Sequence, residues 1–365
     1  MKYILLIFSI SSLLSCSLIT KRKSTAIRSL WTVKAGVSSS SLRTRLFHNT
    51  SPVFAGEFVI QGNGWDGIQA FEKKSGKQVW VYKIKGGVSS PVTVSGDKIY
   101  FGGADGFVYA LKAKTGQMVW RFFTGSENMG APVVQGKGVY FVSSSQKIYA
   151  LSEKNGKLLW LYAGPALSGD FFIRGSYRPA VSKHILYGGF YEGSLVALYI
   201  KNGRLKWKRK PVSALSSNPA LSRGLFLEGP CLLAPVFGEG LFCLNPKTGR
   251  TLWKGAGGET NPVTKGTHLY QGDKEKLYSL RKFDGKINWS VKAKASVTPS
   301  LYKNVLLYGL SSNGKIYAVD FNTGKLILTF PFGRGLSAPI TVDHEAGEAY
   351  FFTVDGHLHK VQLIF

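Results

Sequence analysis

Apolar residues occur along this chain in short runs, and each run is followed by a polar segment that contains glycine. The stretch YALKAKTGQMVW, residues 109–120, shows the pattern: an apolar run, a Lys-Thr-Gly turn and a second run that ends in Trp. Similar stretches occur at residues 69–80 (QAFEKKSGKQVW) and 149–160 (YALSEKNGKLLW). Short apolar runs separated by glycine turns are typical of β-hairpins, whereas long helical patterns are few. The pattern therefore predicts an all-β chain built from repeats.

The glycine of the turn marks each copy of the repeat. Aligned copies place it at Gly76, Gly116, Gly156, Gly203, Gly249, Gly285 and Gly324. Six of these copies have Trp four residues later, and the last has Leu328 there. With the one that precedes the first copy, these tryptophans are Trp31, Trp80, Trp120, Trp160, Trp207, Trp253 and Trp289. A large apolar plate at a fixed repeat position suits the wedge between neighbouring sheets, so we predict a structural role for these residues.

A proline opens each unit and gives a second count. The prolines, about forty residues apart, are Pro52, Pro91, Pro132, Pro179, Pro219, Pro262, Pro299 and Pro339. Within a unit the pattern gives four strands, of which the fourth is predicted to end at the Trp. Four antiparallel strands per unit and eight units predict an eight-bladed β-propeller over residues 29–365.

The last unit, which begins at Pro339, stops before a fourth strand. The strand around Trp31 precedes the first unit, so we predict that it completes the last blade and closes the ring. Closure would remove the exposed edge of an open sheet.

The first residues, MKYILLIFSISSLLSC, predict export. The apolar run is too short to span a bilayer as a mature helix. Its end, LLSC, resembles a bacterial lipobox, which implies a signal peptide over residues 1–15 and lipidation of Cys16. An ordinary secretory signal with an incidental cysteine is the alternative. Residues 16–28 are polar and basic, and we expect them to form a lipidated tether.

Ser17 follows the predicted lipidation site, and Ser at this position resembles lipoprotein signals for the outer membrane. We therefore expect a chain anchored by palmitate-type lipid at the periplasmic face of the outer membrane. The formal net charge of +27 predicts attraction to polyanions. Export argues against nucleic acid, and basic turns that only keep the surface soluble are the simpler interpretation.

The form A-L-x-x-K-T-G-x-x-x-W, as in residues 110–120, resembles the repeat of pyrroloquinoline-quinone (PQQ)-type propellers over nearly the whole mature chain. The quinoprotein dehydrogenases of this group bind the quinone and Ca²⁺ at the propeller axis. They carry a vicinal Cys-Cys pair that this chain lacks, and the 20 acidic residues here are scattered rather than clustered. We therefore predict no enzyme, no cofactor and no metal, and keep a quinone- or small-ligand-binding propeller as the alternative.

The lipobox and the eight PQQ-like units together resemble the BamB family of outer-membrane β-barrel assembly lipoproteins. The resemblance implies a non-catalytic scaffold that binds the barrel-bearing subunit and contacts unfolded barrel precursors. In that family a Leu-x-Leu-Arg-Gly-x-x-x-Pro segment contacts the subunit, and residues 171–179 read FFIRGSYRP. Phe171, Ile173 and Arg174 are thus the predicted partner-binding residues. Alternatively, Phe171 and Ile173 begin an inner strand and face the core.

One departure from the family pattern concerns the next connection. The family often places Asp-x-Asp shortly before the next proline, but Ala214 and Ser216 take those positions before Pro219. Either the partner has changed its complementary charges or the protein docks elsewhere.

Two cysteines and two histidines are the remaining candidates. A turn centred on residues 238 and 239 would place Cys243 opposite Ala234, so a disulfide to Cys231 and two buried thiols both stay open. His357 and His359 share one face of a strand, but no third metal ligand is evident. No hydrolase or phosphate-binding motif occurs, so no catalytic residue is predicted.

Overall fold

The computed structural model describes residues 25–36, 50–64, 66–165, 177–211, 221, 224–293, 298–310 and 313–365. Throughout these ranges the regular secondary structure is β-strand. None of the described residues belongs to an apolar helix of membrane-spanning length. The strands form eight antiparallel sheets of four strands each. The predicted all-β, eight-bladed propeller is therefore confirmed.

The chain begins its regular structure with β1 (Ala26–Lys34), which belongs to the eighth blade. Blade 1 contains β2 (Val53–Ala55), β3 (Phe58–Asn63), β4 (Gly67–Glu72) and β5 (Gln78–Tyr82). Blade 2 contains β6 (Thr93–Ser95), β7 (Lys98–Gly102), β8 (Phe107–Lys112) and β9 (Met118–Phe123). Blade 3 contains β10 (Val133–Gln135), β11 (Gly138–Val142), β12 (Lys147–Ser152) and β13 (Leu158–Ala163). Blade 4 contains β14 (Ala180–Val181), β15 (Ile185–Gly189), β16 (Leu195–Tyr199) and β17 (Leu205–Arg209).

The second half of the ring repeats this order. Blade 5 contains β18 (Phe226–Glu228), β19 (Cys231–Val236), β20 (Gly240–Leu244) and β21 (Thr251–Gly255). Blade 6 contains β22 (Val263–Lys265), β23 (His268–Gly272), β24 (Lys276–Arg281) and β25 (Ile287–Lys292). Blade 7 contains β26 (Ser300–Tyr302), β27 (Val305–Gly309), β28 (Lys315–Asp320) and β29 (Leu326–Pro331). Blade 8 contains β30 (Thr341–Asp343), β31 (Glu348–Phe352), β32 (His357–Ile364) and β1.

The N-terminal strand closes the ring as predicted. β1 pairs antiparallel with β32, from Ala26 opposite Ile364 to Lys34 opposite His357. The strand begins at Ala26, three residues before the boundary of 29 expected from the sequence. Blades 8 and 1 are also joined by an ion pair between Lys73 and Asp343, with 2.9 Å between Nζ and Oδ2. Blade 8 is therefore complete, and it is joined to blade 1 at the point where the two chain ends meet.

The fourth strand does not end at the Trp, and this detail of the prediction was wrong. In blade 2, Trp120 lies opposite Ala110 in the middle of β9, and pairing continues to Phe123 opposite Phe107. The third strand starts well before Ala110, so the fourth strand finds partners beyond the Trp. The strand end is set by the length of its partner and not by the repeat marker.

Because the strands of a blade are antiparallel, its turns alternate between two ends. The first turn of every blade and the third turns of blades 1 to 7 lie at one end, which we call the glycine-turn face after the seven repeat glycines. The second turn and the connection to the next blade lie at the opposite end, which we call the connection face.

Tryptophans and repeat glycines form the blade junctions. A Cβ atom added to Gly156 would lie 2.7 Å from Cδ2 of Trp120, which belongs to the preceding blade. Gly156 also has φ of +70°, a conformation that costs other residues energy. The indole nitrogen of Trp120 donates a hydrogen bond to the carbonyl oxygen of Glu153 at 3.0 Å. The glycine therefore gives the ring room to reach the turn of the next blade.

This junction recurs around the ring. The indole donates in the same way, to the carbonyl three residues before the next repeat glycine, from Trp31, Trp80, Trp160, Trp207 and Trp289. Trp253 contacts Gly285 but its buried indole nitrogen has no hydrogen-bond partner. Trp31 contacts Gly76, so the junction across the chain ends is built like the others. Burying such a ring contributes on the order of a few kcal/mol per junction.

Candidate docking site and propeller axis

The predicted partner-binding residues Phe171, Ile173 and Arg174 lie outside the described residues, as does Cys16. The same is true of Ala214 and Ser216. Residues 166–176 belong to the connection between β13 and β14, and the structure describes the two ends of this connection.

The first end is fixed at Gly164. Its backbone nitrogen donates to the carbonyl of Gln146 at 2.8 Å. A Cβ added to Gly164 would lie 2.4 Å from the ring of Phe190 and 2.5 Å from that carbonyl. Only glycine fits such a close approach, so the chain is held against the second turns of blades 3 and 4 before the segment begins.

The second end is fixed at Tyr177, which is 3% exposed. Its ring meets that of Tyr191 with centroids 5.0 Å apart and planes at 59°. Desolvation by burial raises the pKa of the Tyr177 hydroxyl, and the nearby Tyr191 adds to the effect. Gln146, whose φ is 60°, accepts a hydrogen bond from the Tyr191 nitrogen at 2.8 Å. Both ends of the predicted docking segment are thus seated at the junction of blades 3 and 4, on the connection face.

Arg178 follows directly and lines a cavity at the propeller axis. The cavity has a volume of about 360 Å³ and is bordered by the first strands of blades 3 to 6. Burial lowers the pKa of the Arg178 guanidinium. The other charged residue of the lining is Glu228, which forms an ion pair with Lys282.

This lining does not fit a Ca²⁺–quinone pair. Ca²⁺ takes six to eight oxygen ligands, often from several carboxylates. The lining offers the single carboxylate of Glu228, which is already paired, beside a cationic Arg178. Within the described ranges there is no group of three or more His, Cys, Asp or Glu residues that could hold a metal ion. The alternative of a quinone-binding axis therefore has no donor set in this part of the chain.

His359 occupies an aromatic position of the repeat. Its ring stacks on Phe351 with centroids 4.8 Å apart, as Tyr149 stacks on Phe141 at 5.1 Å. Burial lowers the pKa of His359 to about 4, His357 acts in the same direction and Asp355 opposes it. The ring is therefore neutral near pH 7. The sequence carried a signal for this, because DGHLHKV at 355–361 aligns with DGFVYAL at 105–111.

The two cysteines are joined in a disulfide, with 5.2 Å between their Cα atoms. The predicted register was wrong by one residue, because Cys243 lies opposite Leu233 and not Ala234. Both cysteines are buried, and Cys243 faces Trp253 as Ala110 faces Trp120. The disulfide thus bridges the two middle strands of blade 5 diagonally, within the packing between blades.

Eight four-stranded blades, joined by tryptophan–glycine junctions at every boundary except that between blades 7 and 8, define a β-propeller of the PQQ-like repeat class. A family model described as outer membrane protein assembly factor BamB matches residues 29–229 and 238–329. The chain belongs to this family.

Individual relatives agree with the family match. Outer membrane protein assembly factor BamB of Legionella pneumophila (strain Paris) is 26% identical, and the alignment covers 52% of each chain. The alignment thus spans about half the length of that relative. The crystal structure of BamB from Moraxella catarrhalis has a TM-score of 0.76 at 16% identity, covering 93% of this chain and all of the other. Quinohemoprotein alcohol dehydrogenase from Comamonas testosteroni has a TM-score of 0.69 at 14% identity, covering 92% of this chain and 76% of that one. At these identities the two structures show a shared fold.

Proposed function

We propose that this chain is a non-catalytic, lipid-anchored periplasmic scaffold of the outer-membrane β-barrel assembly machinery. The observation that carries the proposal is the BamB family match over residues 29–229 and 238–329. The axial cavity offers one carboxylate, which is already paired, where the dehydrogenases of this fold bind Ca²⁺, and this favours a scaffold over an oxidoreductase.

The barrel-bearing subunit of the machinery is the proposed partner, and residues 171–174 are the proposed contact. Two apolar side chains beside an arginine combine burial with a charge-assisted hydrogen bond, which suits a specific interface. The seating of Gly164 and Tyr177 supports this assignment, because a segment held at both ends loses less entropy on binding. Ala214 and Ser216 provide no acidic counterpart, so the proposed contact depends on Arg174 more than in relatives with Asp-x-Asp.

Unfolded barrel precursors are the proposed second ligand, and the outer strand of blade 3 suits them. β13 is the outermost strand of its sheet and has an unpaired edge. It presents Leu158, Leu159 and Leu161, which are 47%, 53% and 45% exposed. An extended apolar segment can add to such an edge through main-chain hydrogen bonds.

A charge reversal at the proposed contact tests the scaffold function. Arg174→Glu should abolish co-purification of the barrel-bearing subunit from mild-detergent extracts, because an unpaired desolvated charge typically costs about 2–5 kcal/mol in binding. The melting temperature should stay near that of the unchanged chain. Lys85→Glu is the matched control, since it makes the same charge change on the connection face at another junction. Retention of the subunit at normal yield by Arg174→Glu would refute the contact.

Cys16→Ala tests the anchor separately. Loss of the thiol should prevent incorporation of radiolabelled palmitate and leave the chain unprocessed or released from the membrane. Palmitate incorporation in this variant would show that Cys16 is not the lipidated residue.

A further inference from the structure

The third turn of the repeat carries positive charge almost all the way around the ring. Two positions of this turn are exposed, the residue after the glycine and the residue two before it. Basic residues at these two positions are Lys74, Lys77, Lys114, Lys154, Lys157, Lys201, Arg204, Lys247, Arg250, Lys286 and Lys325. None of them forms an ion pair with another described residue.

Acidic residues on the same face are fewer than basic ones, and several of them are in ion pairs. Glu153 pairs with Lys98 at 2.6 Å, and Asp343 pairs with Lys73 at 2.9 Å. Glu57, Asp97 and Glu345 are exposed in first turns near the axis, and Glu72 is exposed at the third turn of blade 1. Asp284 and Asp320 also lie in third turns, where Asp284 pairs with Arg281 and Asp320 accepts hydrogen bonds from Thr323. The outer ring of the glycine-turn face is therefore a broad cationic surface.

The second turns at the opposite end carry charges of both signs, and basic residues in or beside them are Lys147, Lys274, Lys276 and Lys315. The second turns of six blades carry acidic residues, namely Asp66, Asp105, Glu192, Glu239, Asp273, Glu275 and Asp355. Cations that only kept the molecule soluble would not need to be sorted by turn type. The sorting points to a flat polyanion on one side of the disc, because the cations span the rim instead of lining a groove.

The N-terminus leaves from this same face. Ala26, where β1 begins, pairs with Ile364 at the end of β32 that lies on the glycine-turn face. Between Cys16 and Ala26 lie only nine residues, including Lys21, Arg22 and Lys23, so ten Cα–Cα steps separate the two. An extended stretch of that length reaches up to roughly 34 Å, so a lipid on Cys16 would hold this face close to a bilayer.

We propose that the glycine-turn face lies on the anionic surface of a phospholipid membrane, with its ring of lysines and arginines contacting lipid phosphates. This inference rests on the proposed lipid anchor, which supplies membrane attachment, while the cationic ring supplies orientation and a preference for anionic lipid. The connection face, with its proposed docking segment, then points away from the membrane toward partners.

The test compares partitioning of the full chain into vesicles of phosphatidylcholine alone and vesicles with about one third phosphatidylglycerol. The variant Lys154→Glu/Lys157→Glu/Lys201→Glu reverses three exposed charges of two neighbouring glycine turns. The matched control, Lys83→Glu/Lys85→Glu/Lys292→Glu, makes the same change in net charge at exposed positions of the connection face. Circular dichroism of both variants checks that the propeller remains folded.

We expect the ratio of anionic to neutral partitioning to fall at least about tenfold in the first variant and less than about threefold in the control. The preference should also weaken with added salt, because exposed charges are screened. Equal losses in both variants, or none in either, would overturn the proposal. So would an unchanged lipid preference with loss of a co-purifying acidic protein, which would make the face a protein interface.

Failure of the anchor gives a different result. If Cys16 carries no lipid, the unchanged chain should not partition into neutral vesicles, yet its preference for anionic vesicles and the effect of the first variant should persist. The two proposals can therefore fail independently.

Discussion

The two faces of the propeller are built by different rules. On the glycine-turn face the third turns are nearly identical, with φ of the repeat glycine between +70° and +72° in all seven copies. On the connection face the segments between blades differ widely in length, from residues 256–262 to residues 164–179. The uniform face is fixed by contacts between neighbouring blades, whereas the variable face is free to differ from one junction to the next. Stability should therefore respond strongly to changes on the first face, and partner choice to changes on the second.

Removal of β1 should have the largest effect. Deleting residues 26–34 leaves β32 with a free edge and removes the Trp31 junction to blade 1, so we expect loss of cooperative unfolding and aggregation. Leu30→Ser is the control, because Leu30 lies in the bulge between the paired residues Ser29 and Trp31. Thermal unfolding and size-exclusion chromatography measure both. A deleted chain that melts like the full one would show that the ring does not need this strand.

Replacement of a single tryptophan should have the next largest effect on stability. Trp120→Ala removes a buried ring from one junction, with an expected loss of about 3–5 kcal/mol in the free energy of unfolding. A Phe in place of Trp keeps a ring but removes the indole donor. Trp120→Phe should therefore lower the free energy of unfolding by about 1 kcal/mol more than Trp253→Phe, because Trp253 donates no hydrogen bond. Urea unfolding measures the three variants. Equal costs at the two sites would show that the indole donor adds nothing to a junction.

Two variants separate the effect of the positive φ of the repeat glycine from the effect of its close contact with tryptophan. Gly156→Ala should lower the free energy of unfolding by roughly 2–3 kcal/mol, because it combines a positive φ with a Cβ that meets Trp120. Gly136→Ala is the control, since Gly136 has φ of +59° but nothing within 4 Å of its Cβ position. It should cost about 1 kcal/mol. Equal losses would mean that the conformation alone, and not the tryptophan, selects glycine in the repeat.

The smallest effect should appear at His359, toward the connection face, and only at acidic pH. The folded pKa of about 4 lies below the unfolded value near 6.5, so the unfolded chain binds more protons between these values. The contribution of His359 to the free energy of unfolding is fully present above pH 6.5 and is lost as the pH falls toward 4. At pH 5 the loss is on the order of 2 kcal/mol. His359→Phe keeps the stacked ring and should remove this loss. Urea unfolding at pH 7.5 and pH 5 tests it, and identical pH dependence in both proteins would contradict it.

The sequence predicted the fold well because its markers are tied to geometry that repeats. Glycine, proline and tryptophan recur at nearly regular spacing, and each satisfies a constraint that most blades share. The register of the two cysteines was missed because it depends on one local turn. Val236 pairs with Gly240, and the positive φ of Gly238 and Gly240 fits one more residue into the turn than the prediction assumed.

The candidate site was less predictable for a physical reason. Residues 166–176 belong to the least repetitive part of the chain, where neighbouring blades give no template. His359 is the reverse case. Two histidines on one strand suggested a ligand pair, but comparison with Tyr109 in the same repeat position would have shown a structural ring.

The closing strand also has a consequence for the order in which the molecule can be completed during synthesis. β1 is made before any other strand, and its partner β32 is made after all of them. Until β32 arrives, β1 has no sheet to join, and the Gly76 turn of blade 1 lacks the stable Trp31 cover that completes its junction. Every chain that has not yet formed β32 therefore leaves β1 without its partner strand.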